Sequence, residues 1–252
     1  MNDVLTTFRE VFAPPRHLIL IILADWIGLV MSERRTARDK SNNIALESLL
    51  TYCLAAFLVG GRLSFVLQNF STFSSDPMGI LSLNLEMFDS PGGSTIALVT
   101  LSAHAKVKNI SVWIILDSFT PFLAVLMMGV SLSQAAGGTS FGNETNLPWG
   151  YFLWNAKRHP AQVYDFLLGL MVFIWVWRQK PARTSGILFL RFTSMTAAAK
   201  LFVANFCAEG NYAFLGIKEV QLAAWLAMAM SFLLIEYRIA QSSRRDCNRG
   251  AA

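Results

Sequence analysis

The chain alternates between long apolar runs and short polar connections. A helix that crosses the hydrocarbon core of a bilayer needs about 20 mainly apolar residues. Seven segments of the chain reach or nearly reach that length, which predicts an all-α fold, a polytopic transmembrane helical bundle in a single integral membrane domain, residues 1–252. The predicted spans are residues 17–31, 46–69, 92–105, 110–133, 161–178, 185–207 and 219–238.

The first and third predicted spans are short. We expect each to be tilted, partly re-entrant or longer than its apolar run. The first contains Asp25 and is followed by SERRTARDK rather than by a small-residue cleavage site. We therefore interpret it as a retained helix and not as a cleaved signal peptide.

Composition supports a membrane protein. Hydrophobic residues make up 54% of the chain and charged residues 15%, whereas soluble domains carry about 25% charged residues. Cys53, Cys207 and Cys247 have neither paired nor metal-ligand spacing, so we expect no disulfide framework, no metal and no cofactor. The net charge of +5 falls in short loops between apolar runs, so we expect a lipid bilayer and no nucleic acid as the surroundings of the chain.

Lysine and arginine in the short loops predict the orientation of the bundle, because cytoplasmic loops carry an excess of these residues. With the N terminus outside, the inner loops hold thirteen of them and the outer segments five. This count predicts a cytoplasmic C terminus. The thirteen are Arg34, Arg35, Arg38, Lys40, Lys106, Lys108, Arg178, Lys180, Arg183, Arg238, Arg244, Arg245 and Arg249, and the five are Arg9, Arg16, Lys157, Arg158 and Lys218.

Charged side chains within the predicted spans are candidate functional residues, because burying a charge in a bilayer is costly. Arg62 lies in the second span, roughly 10 Å from its outer end, and Lys200 lies in the outer half of the sixth. Arg62 has the alternative roles of snorkelling outward or forming a buried ion pair. Arg191 is nearer the inner side, where we interpret it as the structural ion-pair partner of Asp117.

The polar stretch RHPAQVYD, residues 158–165, precedes the fifth apolar run. Pro160 fits the first turn of a helix, where a missing N–H costs little, so His159 has the alternative role of a helix cap. A cap does not explain Gln162 and Tyr164, which lie one turn deeper. With Arg62 and Lys200, this stretch predicts a cationic cavity on the outer side, and an anionic phospholipid headgroup is its natural guest.

Three motifs in order resemble those of prolipoprotein diacylglyceryl transferases, bacterial inner-membrane enzymes with seven spans and an outside N terminus. RHPAQVYD is similar to the family's Arg-His-Pro-Ser/Thr-Gln-Leu-Tyr-Glu, and GGRLSFVL at 60–67 to its Gly-Ala-Arg-Leu-Gly-Tyr-Val. TNLPWG at 145–150 stands just upstream of the first motif, as it does in the family. The resemblance covers most of the chain from about residue 46 to residue 238.

The sequence departs from the family where the resemblance implies chemistry. Pro91 replaces the histidine of a His-Gly-Gly motif, and Gly138 stands where the family has an arginine. Asn143 and Glu144 match the end of that second motif. In the sixth span, Lys200 or Leu201 takes the place of one arginine, Asn205 that of a glutamate, and Ala208 that of a second arginine.

The resemblance implies transfer of the diacylglyceryl group of phosphatidylglycerol to the lipobox cysteine of a secreted prolipoprotein, in the bacterial plasma membrane. Such a reaction requires a base near the thiol and cations near the phosphate. An inactive relative that still binds an anionic phospholipid or a lipobox peptide is the alternative, and an unrelated transporter is a third. The candidate catalytic residues are His159 and Lys200, and the candidate substrate-binding residues are Arg62, Asn143, Glu144, Arg158, Gln162 and Tyr164.

Overall fold

The structure is a computed structural model that describes residues 2–38, 46–75, 77–81, 88–180, 184–208, 210–214 and 216–250. It is mostly helical. Lys40 and Arg183, which the loop-charge count includes, lie outside the described residues, as do the side chains of Arg244, Arg245 and Arg249. The helices are α1 Asn2–Val11, α2 Leu18–Arg38, α3 Leu46–Gln68, α4 Phe70–Ser75, a 3₁₀ helix Pro77–Leu81, α5 Ser90–Val107, α6 Val112–Gly137, α7 Ala161–Arg178, α8 Ile187–Ala204 and α9 Glu219–Gly250.

A helix covers each of the seven predicted spans. Within the described part of the chain, five helices are long and apolar enough to cross a membrane: α3, α6, α7, α8 and the stretch Glu219–Ser243 of α9. The prediction of a multi-pass helical membrane protein is therefore confirmed. The helices over the first and third predicted spans, α2 and α5, extend beyond their apolar runs into polar sequence.

Two short antiparallel hairpins, which the sequence pattern does not predict, accompany the helices. One pairs β1 Tyr151–Leu153 with β2 Ala156–Arg158, and the other pairs β3 Tyr212–Phe214 with β4 Ile217–Lys218. Both are too short to show the alternation of polar and apolar residues that identifies a strand. Each is a two-stranded sheet that connects two helices, α6 with α7 and α8 with α9.

Contacts divide the chain into two compact units. The larger unit consists of residues 1–40 and 116–252, and the smaller unit of residues 41–115. In the larger unit, α9 packs along α8, and α8 packs against α7. Its buried apolar cluster joins α6, α7 and α8 and consists of Ala124, Val172, Val176, Leu188 and Phe192.

Small residues allow α2 and α6 to approach closely in the larger unit. A Cβ atom on Gly129 would collide with Ala24, and one on Gly28 would lie 3.0 Å from the ring of Phe122. Close backbone approach at glycine is a common basis of helix association in membranes. Close packing at Gly28 and Gly129 therefore holds α2 against α6.

A proline inside α6 creates a polar contact with α2. Pro121 has no N–H and its ring perturbs the preceding turn, which disrupts the regular helical hydrogen bonds. The next N–H, that of Phe122, donates to Ser32 Oγ at 2.9 Å, and Ser32 is completely buried. The hydroxyl therefore satisfies a backbone group that would otherwise be unpaired in an apolar environment.

The interpretation of Asp117 and Arg191 as an ion pair is wrong. The Asp117 carboxylate accepts hydrogen bonds from the backbone N–H groups of Gly186, at 2.6 Å, and Phe189, at 2.9 Å. Those groups are the unpaired donors at the start of α8, where a carboxylate also interacts favourably with the helix dipole. Arg191 is exposed and forms no ion pair with this carboxylate.

The smaller unit is built on the packing of α3 against α5. A Cβ atom on Gly60 would lie 2.6 Å from the side chain of Ile96, and one on Gly93 would lie 2.7 Å from the carbonyl oxygen of Phe57. Asp89 caps α5 by accepting a hydrogen bond from Gly92 N at 2.9 Å. Glycine is therefore required where these two helices cross.

Candidate functional site

Seven of the eight predicted site residues belong to the larger unit, and Arg62 belongs to the smaller. The seven lie on the loop after α6, at the end of β2, at the start of α7 and on α8. The loop after α6 also forms isolated bridges with the β2 strand and with the residues after α8. Segments that are distant in sequence thus meet at the start of α7.

The β1–β2 hairpin positions the Arg158–His159 pair. Trp154 and Asn155 form its two-residue turn, with φ angles of 51° and 59°. Positive φ at both central residues characterises the type I′ turn, whose twist matches that of a hairpin. Tyr151 pairs with Arg158 in the resulting register, and α7 begins directly after Pro160.

Asn143 ties three segments together through its backbone and side chain. Its carbonyl oxygen accepts from His159 N at 3.0 Å, its N–H donates to Phe206 O at 2.7 Å, and its Nδ2 donates to Asn205 O at 3.3 Å. A Cβ atom on Gly142 would collide with the His159 carbonyl. The loop after α6 therefore fixes the backbone of His159.

Arg158 is held by three kinds of contact. Its Nη2 lies 3.4 Å from Glu144 Oε1, its Nε donates to Leu153 O at 3.2 Å, and its guanidinium lies 4.9 Å from the ring centroid of Phe141. The Arg158 side chain is 15% exposed and that of Glu144 71%. Because Glu144 is largely in solvent, this ion pair contributes about 1 kcal/mol or less.

Aromatic side chains surround the imidazole of His159. Its Nδ1 lies 3.3 Å from the Tyr164 hydroxyl, which also accepts a hydrogen bond from Trp149 Nε1 at 2.9 Å. The Phe206 ring centroid lies 5.2 Å from that of His159 and 5.5 Å from that of Tyr164. In the tautomer in which Nδ1 donates to Tyr164, Nε2 of His159 is unprotonated and can accept a proton.

Gln162, in the first turn of α7, is almost fully buried. Its Nε2 donates to Thr139 O at 2.7 Å, and its Oε1 accepts from the Tyr151 hydroxyl at 3.2 Å. Burial raises the pKa of Tyr151, against the smaller opposing effects of the Gln162 hydrogen bond and of the charges on Arg9 and Arg158. Gln162 therefore joins the hairpin to the loop after α6.

Lys200 is paired with Asp165. Its Nζ lies 2.6 Å from Asp165 Oδ2, and the same oxygen accepts from Ser131 Oγ at 2.8 Å. The Lys200 side chain is 38% exposed and that of Asp165 5%. The buried Asp165 carboxylate therefore offsets the charge of Lys200, the predicted catalytic lysine. The sequence alone does not identify this pairing.

Arg62 holds a connection within the smaller unit. Its Nε donates to Ile80 O at 3.0 Å and its Nη2 to Gly79 O, both in the 3₁₀ helix Pro77–Leu81. The guanidinium also lies 5.6 Å from the ring centroid of Phe73. Its membership of one cavity with Arg158 and Lys200 stays a prediction.

The positions at which the sequence departs from the family motifs have local structural roles. Pro91 occupies the first turn of α5 after the cap Asp89. Gly138 has a left-handed φ of 71°. Ala208 is exposed and donates its N–H to Phe141 O at 2.9 Å.

Two cations that sequence reasoning did not select also reach this region. Lys218 donates to Ala204 O at 3.3 Å and to the carbonyl of Cys207, so it caps the end of α8. Arg9 of α1 places Nη2 2.7 Å from the position that a Cβ on Gly138 would occupy. In the sequence, these two residues are distinguished only as two of the five basic residues predicted to lie in the outer segments.

Comparison with known proteins gives consistent matches. A model of the prolipoprotein diacylglyceryl transferase family matches residues 16–238. A phosphatidylglycerol–prolipoprotein diacylglyceryl transferase of Methylococcus capsulatus is 27% identical over 230 residues, which are 86% of this chain and 83% of that protein. The proteins of the same name from Brucella ovis and Brucella suis are each 25% identical over 233 residues, 85% of this chain and 79% of those proteins.

Proposed function

Because the chain belongs to the prolipoprotein diacylglyceryl transferase family, we propose that it transfers the diacylglyceryl group of phosphatidylglycerol to the lipobox cysteine of a prolipoprotein. The names of its relatives support both substrates. The observation that carries the proposal is the group at the start of α7, where His159 contacts Tyr164 directly after the cation Arg158. A base and a phosphate-binding cation are the two functions that this transfer requires.

The proposed step is a displacement at carbon. The cysteine sulfur attacks the carbon of the diacylglyceryl group that bears the phosphate ester, a C–S bond forms, and the bond between that carbon and the phosphate oxygen breaks. Glycerol phosphate leaves with the bonding electrons, and the thiol proton passes to Nε2 of His159 and then to solvent. A thiol has a pKa of about 8.5, so a nearby base increases the fraction of the nucleophilic thiolate.

In this proposal the cationic side chains bind the phosphate group of the lipid. The planar guanidinium of Arg158 can bind phosphate oxygens in a bidentate manner, and its Glu144 partner is exposed and easily exchanged for another anion. Lys200 provides a point charge that Asp165 partly offsets. Arg62 completes the predicted binding set, together with Asn143 and Gln162, which hold the surrounding loops.

We also propose the finer topology of seven spans, an outside N terminus and a location in the bacterial plasma membrane. Helices α2 and α5 supply the two spans beyond the five strongly apolar helices. The distribution of lysine and arginine supports this orientation. The site then faces the side on which a secreted prolipoprotein emerges.

The direct test is a lipidation assay in a host depleted of its own transferase. We expect expression of this chain to add the mass of a diacylglyceryl group to a reporter that carries a lipobox cysteine. A reporter with serine in place of that cysteine is the control and should keep its mass. An unmodified cysteine reporter, despite correct membrane insertion of the chain, would contradict the proposal.

The second candidate is a relative without turnover that binds an anionic phospholipid or a lipobox peptide. The specific observations that favour it are Pro91, Gly138 and Ala208 at motif positions and the pairing of Lys200 with Asp165. In the same assay this candidate predicts no mass shift and a lipid that copurifies with the chain.

A further inference from the structure

The TNLPWG motif forms a tight turn that directs the side chain of Trp149. Gly150 N donates to Leu147 O at 3.1 Å, which closes a four-residue turn. Pro148 and Trp149 occupy its two central positions, and proline suits the first of them because its φ is fixed near the required value. Leu147 N also donates to Thr145 Oγ1 at 3.2 Å. The motif therefore determines the direction in which the indole leaves the turn.

Contacts with the β2 strand hold this turn in place. Thr145 N donates to Lys157 O at 2.8 Å. A Cβ atom on Gly150 would lie 2.8 Å from Cγ2 of Thr145 and 3.1 Å from Cγ of Lys157. The absence of a side chain at Gly150 thus allows the turn to approach the strand closely. The strand in question also carries Arg158 and leads directly to His159.

The indole of Trp149 contacts Tyr164, in the first turn of α7. Its Nε1 donates to the Tyr164 hydroxyl at 2.9 Å. Trp149 is 48% exposed, so water could satisfy its N–H and burial does not require this contact. The hydrogen bond is therefore a consequence of where the turn places the indole.

The Tyr164 hydroxyl joins this indole to the imidazole of His159. Among the described residues it contacts only Trp149 Nε1 and His159 Nδ1, which lies 3.3 Å away. An indole N–H can only donate, so the hydroxyl must accept from it, whereas Nδ1 can either donate or accept. A hydroxyl held on one side by a donor loses part of its freedom to rotate. It thereby also loses the freedom to match either tautomer of the imidazole.

The rest of the imidazole is packed on one side and accessible at its second nitrogen. The ring centroid of Phe206 lies 5.2 Å from that of His159 and 5.5 Å from that of Tyr164. Nε2 of His159 has no partner in the described part of the chain and is not buried from solvent. A substrate can therefore reach Nε2, while the hydroxyl of Tyr164 controls Nδ1.

We propose that Trp149 is a positioning residue, which acts through the Tyr164 hydroxyl to hold the His159 imidazole in one tautomer and one orientation. This inference deepens the proposed function and rests on it, because a base at Nε2 requires the proton of the neutral ring to be on Nδ1. It also gives the TNLPWG motif a role in the site.

The test observes the imidazole nitrogens directly. Purified full-length protein with isotope-labelled histidine nitrogens is measured by NMR in detergent at mildly alkaline pH, and His159→Gln identifies the signals of His159. In the wild type, the two ring nitrogens should have the well-separated shifts of a single tautomer. Trp149→Phe keeps an aromatic ring at a half-exposed position and removes the N–H. It should draw the two shifts towards each other, because both tautomers are then populated.

The same variant has an expected effect on the kinetics of reporter lipidation. Trp149→Phe should lower kcat by about threefold to tenfold, the usual effect of losing one neutral hydrogen bond. KM should stay unchanged, because the indole does not contact the substrate in this proposal. Shifts and kcat equal to those of the wild type would overturn the inference.

Trp154→Phe is the matched control. Trp154 is also an exposed tryptophan, 61% accessible, but its indole N–H donates to Gly138 O at 3.2 Å and not to the group around His159. This variant should keep the His159 shifts and the kcat of the wild type. Equal changes in the Trp149 and Trp154 variants would show that the contact with Tyr164 is not responsible.

A double variant shows whether Trp149 acts through Tyr164. In Tyr164→Phe the hydroxyl is absent, so adding Trp149→Phe should cause no further change in the His159 shifts or in kcat. A purely structural role of the indole would instead add its effect to that of Tyr164→Phe. A further loss as large as that in the wild-type background would therefore overturn the inference.

The outcomes for this inference and for the proposed function are separable. A wild-type His159 with its proton on Nε2 would contradict the base of the proposed function, whereas a response of its shifts to Trp149→Phe alone would still support the positioning role. Lipidation of the reporter by the wild type, with His159 shifts and kcat that do not respond to Trp149→Phe, supports the transferase and overturns the positioning role.

Discussion

His159 shows at the residue scale which part of a site local sequence can predict. The sequence places it in one candidate site with Tyr164, five residues further on, but the spacing does not predict the contact between Nδ1 and the Tyr164 hydroxyl. From other segments, Phe206 contacts the imidazole, Trp149 donates to the Tyr164 hydroxyl, and Asn143 accepts from the backbone N–H of His159. No periodic pattern relates these segments, and only the packed chain brings them together.

Replacement of His159 tests its role as the base. We expect His159→Gln to lower the rate of reporter lipidation by about 100-fold or more, the usual contribution of a general base. His104→Gln, in the smaller unit, is the control and should have little effect; equal losses would argue that neither histidine is the base.

Tyr164 is expected to act as a positioning residue for His159. Tyr164→Phe removes the hydroxyl that contacts Nδ1 and Trp149, so the pH dependence of the rate should change along with its size. Tyr212→Phe is a suitable comparison because Tyr212 is an exposed tyrosine. A reduced rate with an unchanged pH profile would indicate that Tyr164 has only a structural role.

Replacement of Arg62 and replacement of Arg191 are expected to have different effects on activity. Arg62 is predicted to contribute to the outer cavity and holds two backbone carbonyls, whereas Arg191 is exposed. We expect Arg62→Ala to reduce lipidation and lipid retention far more than Arg191→Ala. Equal effects in both measurements would remove Arg62 from the substrate-binding set.

At the scale of elements, helix positions follow from hydropathy, but the contacts between helices do not. The apolar runs predict α3, α7 and α8 closely, because about 20 apolar residues have few other stable conformations in a bilayer. The polar contacts depend on which helices become neighbours. Asp117 caps the distant α8 instead of pairing with Arg191, and Ser32 binds the N–H that Pro121 leaves unpaired in α6.

The cap on α8 predicts a measurable loss of stability. Asp117→Ala removes the acceptor of two backbone N–H groups, and loss of a helix cap costs about 1 to 2 kcal/mol. Unfolding of the purified protein in a detergent titration measures the change. Asp117→Asn keeps one acceptor oxygen and should lose less; identical stability of both variants to the wild type would contradict the capping role.

The Lys200–Asp165 pair links α8 to α7 and makes a second prediction about stability. Asp165→Asn alone leaves the ammonium without its counter-charge and should destabilise the protein by about 2 kcal/mol. Adding Lys200→Met removes that unpaired charge, so the double variant should be more stable than Asp165→Asn. If the loss of stability in the double variant equals the sum of the losses in Asp165→Asn and Lys200→Met alone, the ion pair contributes no coupling energy.

At the scale of the whole molecule, the hydropathy pattern predicts a multi-pass helical protein, and the structure agrees. The short hairpins could not be predicted, because three-residue strands leave no periodic signal. Long-range contacts, rather than local preferences, carry most of the information about the site.

Cysteine labelling tests the proposed orientation. In a variant with the native cysteines replaced by serine, Asn146→Cys lies in the loop after α6 and Asn109→Cys in the loop after α5; both positions are exposed. A maleimide that cannot cross the plasma membrane is added to cells in which it can reach the outer face of that membrane. It should label the cysteine at position 146 and not the one at position 109. Labelling of position 109 alone would reverse the orientation.

The contact of Gly142 with the His159 carbonyl limits how this protein can be redesigned. An attempt to restore the arginine of the family motif would begin at Gly138, within the same short loop. That loop is fixed at Thr139 by Gln162 and at Gly142 by the backbone of His159. Residues inserted after Gly138 would have to fit between these two fixed points, and any side chain at position 142 would collide with the backbone of His159.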